Sequence, residues 1–241
     1  RKIGNAIIWL DRRTMAQTDH IRKLFTEEEI TRITGLPIGY IFSASKMLWL
    51  MKNRPDILRR TICFLSPKDY VLYRLTGEMI TDFSMASRTL LLNIHKKCWS
   101  SDICDALEID RSLLPEIRES VSVVGEVSRH AAKETRLKAG TPVVAGGGDR
   151  PCEALGAGVI NVGQVNIGTG TGTTITTPLK QPQPDLSGKI ACCCHVISNK
   201  WEYEAGISTT GASLKWFKEN FQHDAPLFDV DSEADAYTLL E

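Results

Sequence analysis

Two glycine-rich stretches carry the groups best suited to act on a substrate. The first is Gly146-Gly147-Gly148-Asp149, directly after the apolar run Pro142-Val143-Val144-Ala145. A strand followed by a flexible turn presents its aspartate at the strand's carboxyl end, the edge where open α/β sheets bind ligands. A carboxylate there can take the proton of a hydroxyl as that hydroxyl attacks a phosphoryl group. The same aspartate could instead cap a helix beginning near Pro151. The second stretch is Gly168-Thr169-Gly170-Thr171-Gly172, between two strand-like runs. Glycines tolerate positive φ and leave backbone N–H groups unshielded. A tight turn of them with threonine hydroxyls makes an anion nest, although an ordinary hairpin turn has the same composition. No Gly-Lys-Ser/Thr follows, so this is not a Walker A loop, and the spacing is not G-x-G-x-x-G.

Two further constellations are less specific. Glu204-Ala205-Gly206 precedes Thr209-Thr210-Gly211-Ala212-Ser213. Gly211 falls near the start of a helix expected over residues 211–221, where backbone can approach a nucleotide and the helix dipole favours phosphate. A plain helix entry accounts for it equally. Trp9-Leu10-Asp11-Arg12-Arg13 ends an apolar run. Trp9 offers a flat wall to the carbon face of a sugar, and Asp11 and Arg12 can bond hydroxyls. The alternative is a buried aromatic beside a surface ion-pair cluster.

Seven cysteines form no spaced framework, and Cys192-Cys193-Cys194-His195 tempts a zinc reading. Successive strand residues point to opposite faces, so three in a row do not converge on one metal. They fit a buried strand of small apolar residues, and no metal site is assigned. An odd number of free thiols points to a reducing compartment, the cytoplasm.

Positioning these groups requires a particular series of elements. Residues 6–9 read as a buried strand. Helices follow over about 14–25, from just after Thr26, and over 45–52, ending near Pro55. Ser66-Pro67-Lys68-Asp69 is a helix start, with serine at the cap, proline at the first position and Asp69 in the first turn; Gly77 ends that helix. Another helix spans about 128–137. Residues 142–145 read as a short buried strand, residues 164–177 as two strands around the Gly-Thr repeat, and 201–205 as a strand. Helices dominate before the glycine run and strands open after it. This places a domain boundary near 145, dividing the chain into 1–145 and 146–241.

The 241 residues are 42% hydrophobic and 24% charged, an ordinary globular composition, and 29 basic residues balance 29 acidic ones. Neither a basic excess nor a basic stripe marks a nucleic-acid binder. No apolar run approaches the roughly 20 residues needed to span a bilayer. The chain opens almost at once on a strand-like run and closes at Glu241 inside a helix-like one, as a piece truncated at both ends would.

Taken together and in this order, the pieces resemble the FGGY carbohydrate kinase family. The stretch Asn5-Ala6-Ile7-Ile8-Trp9-Leu10-Asp11-Arg12-Arg13-Thr14 is similar to that family's substrate-side strand. Ser43-Ala44-Ser45-Lys46-Met47-Leu48-Trp49-Leu50-Met51-Lys52-Asn53 resembles its first signature, and Thr81-Asp82-Phe83-Ser84-Met85-Ala86-Ser87-Arg88-Thr89 the segment that reaches the substrate pocket. Residues 139–149 resemble its hinge. The resemblance implies an α/β, actin-like (ribonuclease H-like) fold of two domains around a cleft, the second incomplete here. It implies ATP-dependent phosphorylation of a small sugar or polyol, with ATP and Mg2+ as cofactors. It implies neither a nucleic-acid nor a membrane partner, and it is compatible with a homo-oligomer. The family's Asp-x-Gly-Thr phosphate loop and its later adenosine segment have no counterpart here, so the piece alone should not be a competent kinase.

Carried over by position, the resemblance makes Asp149 the catalytic base and puts Trp9, Asp11, Phe83 and Arg150 in the substrate pocket. It sets Gly168, Thr169, Gly170, Gly211 and Lys215 near ATP. Phe83 stands where glycerol kinases have a tyrosine and so lacks a hydroxyl donor. Arg150 stands where they have glutamine and xylulokinases have asparagine, and its guanidinium brings a full charge and several donors. Both departures argue against glycerol; the guanidinium could favour a ketose or a substrate carrying an anionic group, and a ketopentose such as xylulose ranks first. Glycerol, gluconate or autoinducer-2 are the alternative substrates within the family. The rival classes are an acetate-kinase-like or exopolyphosphatase-like ATPase and a non-enzymatic actin-like nucleotide-binding module.

Overall fold

The computed structural model describes residues 2–221. Its first third is helical: α1 (Met15–Leu24), α2 (Glu27–Thr34), α3 (Ser43–Asn53), α4 (Pro55–Leu58) and α5 (Pro67–Thr76). Local chemistry sets these ends. Thr26 and Ser66 each form a capping box, with Glu29 and Asp69 respectively, and Gly35 and Gly77 end their helices in the left-handed conformation. The helix expected from about residue 14 begins as a 3-10 turn, Arg12–Thr14, before α1.

Short strands and helices then alternate: β1 (Ile80–Asp82), α6 (Phe83–Ala86), β2 (Leu92–Asn93), β3 (Cys98–Trp99), α7 (Ser101–Ala106), β4 (Glu116–Arg118), β5 (Val123–Glu126), α8 (Arg129–Thr135) and β6 (Pro142–Val144). Strand β1 pairs in parallel with β4, whereas β2–β3 and β5–β6 are antiparallel. After α9 (Asp149–Gly156) come β7 (Asn166–Thr169), β8 (Thr173–Leu179), β9 (Ala191–Cys194), β10 (Trp201–Ile207) and α10 (Gly211–Phe221). These four strands form an antiparallel sheet in the order β7-β8-β10-β9.

Two apolar clusters hold the chain together, and β9 sits between them. Cys193 joins Ile21, Ile30, Ala44, Met47, Leu90, Leu91 and Ile103 on one side. Cys192 and Cys194 join Ala86, Leu92, Ile94 and Trp201 on the other. The alternation expected of three consecutive cysteines is therefore observed, and each thiol is pushed up in pKa by burial.

Two expected strands come out differently. Residues 6–9 form no strand, and Ile8, Trp9 and Leu10 are exposed. A strand exists only by pairing, and none of the described strands pairs with this run. Strand β6 forms but is not buried: it lies in a two-stranded ribbon with Val144 half exposed, and only Ala145 beyond it is enclosed. The helix-like segment ending at Glu241 lies outside the described residues. No described helix is long and apolar enough to cross a membrane.

Candidate active site

From β6 the chain enters the glycine run, where two of the three positions call for glycine. Gly146 has φ +71°, and a Cβ on Gly147 would fall 2.2 Å from Val196 Cγ1. The Gly148 N–H donates to Ser84 Oγ at 2.9 Å. Asp149 then opens α9, exposed, with Oδ1 accepting from the Arg150 N–H at 2.9 Å. Beside it the Arg150 guanidinium donates to Thr174 Oγ1 on β8, tying the start of α9 to the sheet. It turns inward to the sheet rather than outward to a surface carboxylate.

Sequence reasoning missed the polar cluster beneath this run. Asp82 is fully buried. Its Oδ1 lies 3.0 Å from Lys68 Nζ, and its Oδ2 accepts from Ser120 Oγ at 2.7 Å, from the Ser84 N–H at 2.9 Å and from Ser84 Oγ. Lys68 Nζ also pairs with Asp69 at 2.8 Å and donates to the Ala145 carbonyl at 3.0 Å. The signals were in the sequence, as Lys68-Asp69 inside a helix start and Asp82-Phe83-Ser84 inside the pocket segment, but nothing local says that they meet.

The second glycine stretch turns between β7 and β8, with Thr169 and Thr171 exposed. It meets the start of α10 closely: the N–H groups of Gly211 and Ala212 donate to the carbonyls of Gly170 and Thr171, at 3.1 Å each. Thr173 Oγ1 and Thr210 Oγ1 are 2.8 Å apart. None of Gly168, Gly170 and Gly172 has positive φ, contrary to the expectation for this turn. Of the three, Gly172 is the one whose place needs close backbone approach. A Cβ on Gly168 would fall 2.6 Å from Glu153 Oε1 of α9, and one on Gly172 2.6 Å from the Ile207 carbonyl oxygen. The nest is also less open than expected, because the Gly170 N–H is spent on the Gly172 carbonyl. Lys215 lies one helical turn beyond Gly211.

Asp149, Arg150, Gly168, Thr169, Gly170 and Gly211 therefore share one neighbourhood, joined through Glu153 and Thr174. Phe83 follows Asp82 at the start of α6, half-buried, with Lys97 Nζ 4.2 Å from its ring centroid. Trp9 and Asp11 are held separately. Asp11 pairs with Arg13 at 2.7 Å, which holds its carboxyl below the usual range, and its carbonyl accepts from the buried Lys46 of α3. Lys46 is a second residue that sequence reasoning left without a role. Trp9 is exposed.

Behind Arg150 and Thr174 lies a buried charge network. Arg88 bridges Glu202 at 3.1 Å and Glu204 at 2.7 Å on β10, and His195 Nε2 is 4.0 Å from Glu202 Oε2. Burial pushes Glu202 up to about 7, against the opposing pull of Arg88. Burial pushes His195 down to about 4.

A family model described as the FGGY family of carbohydrate kinases, N-terminal domain, matches residues 1–156. The xylulose kinase of Bacillus subtilis is 37% identical over 220 residues, which cover 91% of this chain and 44% of that protein. The autoinducer-2 kinase of Klebsiella pneumoniae is 31% identical over 229 residues, covering 95% of this chain and 43% of that protein. Among solved structures, a ligand-bound xylulose kinase from Lactobacillus acidophilus matches with a TM-score of 0.85 at 24% identity, over 93% of this chain and 46% of that one. At that identity the likeness speaks for the fold alone, and the fold is the α/β, actin-like one that the sequence led us to expect. The chain spans less than half the length of these relatives.

Proposed function

The chain belongs to the FGGY family of carbohydrate kinases, and from that premise we propose that the protein phosphorylates a hydroxyl group of a small sugar, a ketopentose such as xylulose. The observation that carries the reading is the placement of Asp149. Its carboxylate is exposed at the start of α9, on a glycine run pinned from below, and shares a neighbourhood with the Gly168–Gly172 turn. We assign Asp149 Oδ2 to take the proton of the attacking hydroxyl, since Oδ1 already accepts from the Arg150 N–H.

ATP, with Mg2+, supplies the phosphoryl group when bound. The exposed threonines of the turn and the closely apposed start of α10 suit a phosphate chain, and Gly168, Thr169, Gly170, Gly211 and Lys215 would hold it. Arg150 orients the sugar through donors beyond the one spent on Thr174. Phe83 offers the sugar an apolar wall; a part for Trp9 and Asp11, on the N-terminal segment, rests on the family resemblance alone. The division near residue 145 and a cytoplasmic setting belong to the same proposal; seven unpaired cysteines support the latter. The test is a panel of ATP, Mg2+ and single sugars, run on the full-length protein: xylulose, glycerol, gluconate and autoinducer-2. Fastest turnover on xylulose supports the reading. No ATP-dependent phosphorylation of any of them removes it, and fastest turnover on another member reassigns the substrate.

A further inference from the structure

Three consecutive glycines are a poor mount for a catalytic carboxylate, because glycine has more backbone freedom to lose than any other residue. The chain meets this with tertiary bonds at both ends of the run. At its start, Lys68 Nζ donates to the Ala145 carbonyl at 3.0 Å, and the Gly146 N–H donates to the Ser120 carbonyl at 2.9 Å. At its end, the Gly148 N–H donates to Ser84 Oγ at 2.9 Å. All three anchors converge on one buried carboxylate. Asp82 pairs with Lys68 at 3.0 Å through one oxygen and accepts from the hydroxyls of Ser84 and Ser120 through the other. Because Ser84 gives its own proton to Asp82, its lone pair is turned to the Gly148 N–H.

We propose that Asp82, Ser84 and Lys68 are positioning residues that hold Asp149 in its reactive place. The inference rests on the reading of Asp149 as the base. Asp82 supplies the fixed charge, Lys68 neutralises it and grips Ala145, and Ser84 transmits the constraint to Gly148, the residue before the base. Burial makes the arrangement stiff, since a solvent-excluded N–H left without its acceptor has no water to turn to.

The experiment uses the full-length protein with ATP, Mg2+ and its best sugar. Ser84→Ala is expected to lower kcat about tenfold while leaving KM for ATP within about twofold. Lys68→Met leaves the buried Asp69 and Asp82 carboxylates without their cation and is scored only where it folds; it is expected to lower kcat in the same direction, with Lys68→Arg restoring most of the rate. Hydrogen exchange of the segment 145–149 should quicken in Ser84→Ala and Lys68→Met, a readout independent of turnover. In an Asp149→Asn background, Ser84→Ala should produce little further loss, because it acts through the residue already removed. Unchanged exchange and an unchanged kcat in both folded variants would overturn the inference, as would losses that multiply in the Asp149→Asn background. Wild-type turnover in Asp149→Asn alone would instead sink the reading of the site, whereas a large loss there with none in Ser84→Ala or Lys68→Met sinks only the positioning role.

Discussion

A Cβ on Gly211 would lie 2.2 Å from the carbonyl oxygen of Gly170, the same oxygen to which the Gly211 N–H donates at 3.1 Å. The turn between β7 and β8 and the start of α10 are thus held at a distance only glycine permits. A methyl group there must push backbone aside, and backbone does not yield cheaply. Gly211→Ala should raise KM for ATP about tenfold, equivalent to ~1.4 kcal/mol, and leave KM for the sugar nearly unchanged. Gly170→Ala should do far less, because the nearest atom to its Cβ is the Gly172 carbonyl oxygen at 4.0 Å. Steady-state kinetics with each substrate varied in turn check this; equal effects on ATP and sugar would favour a plain hairpin.

On the proposed reading, substrate choice turns on Arg150. Its guanidinium is anchored on Thr174, next to Asp149. Arg150→Gln should raise KM for the preferred ketose more than it lowers kcat, the pattern of a contact made equally in ground and transition states. Glycerol should remain a poor substrate, because Phe83 still lacks a hydroxyl. Unchanged kinetics across the sugar panel would show that the guanidinium serves only to tie α9 to the sheet.

The buried pair of Glu202 and His195 gives the fold opposing pH dependences. Glu202 is raised from 4.5 to about 7, so the folded chain holds this proton more tightly, and the contribution is lost as pH rises through about 7. His195 is lowered from 6.5 to about 4, so its contribution is present above 6.5 and lost as pH falls toward 4. Glu202→Gln removes the first effect and leaves the second. Between about pH 5 and 7, the melting temperature of Glu202→Gln should therefore climb more with pH than that of the wild type. Parallel profiles would mean that Arg88 keeps Glu202 ionised throughout.

Cys192, Cys193, Cys194 and His195 should retain no stoichiometric zinc. Cys193 faces one apolar cluster while Cys192 and Cys194 face the other, so the sulfurs cannot converge on one ion. Elemental analysis of protein purified without chelators decides this, and one tightly held zinc per chain would contradict it.

How far the structure could be read in the residues depended on the range of the interactions. Ser66, Pro67 and Asp69 announced α5 because a helix start is a local event of a few residues. The cysteine run declared its alternation for the same reason, as period two is a property of the strand itself. The run at residues 6–9 had the composition of a buried strand, but a strand is defined by its neighbour, and composition does not supply one. The turn glycines lack the positive φ expected of them, and the close approach of Gly172 to the Ile207 carbonyl depends on what folds against it. Least legible was the clamp under Asp149. Lys68 and Ala145 are 77 positions apart, and Ser84 and Gly148 are 64 apart; no periodicity links such positions.

Whether Asp149 is the base is decided by the turnover of Asp149→Asn in the full-length protein with ATP, Mg2+ and its best sugar. Asparagine keeps the size and an acceptor oxygen for the Arg150 N–H but cannot take up a proton at neutral pH. Phosphorylation should fall about a hundredfold or more, the scale of losing a general base, with KM for ATP nearly unchanged. A variant that keeps most of the wild-type rate would contradict the account and leave Asp149 as no more than the first residue of α9.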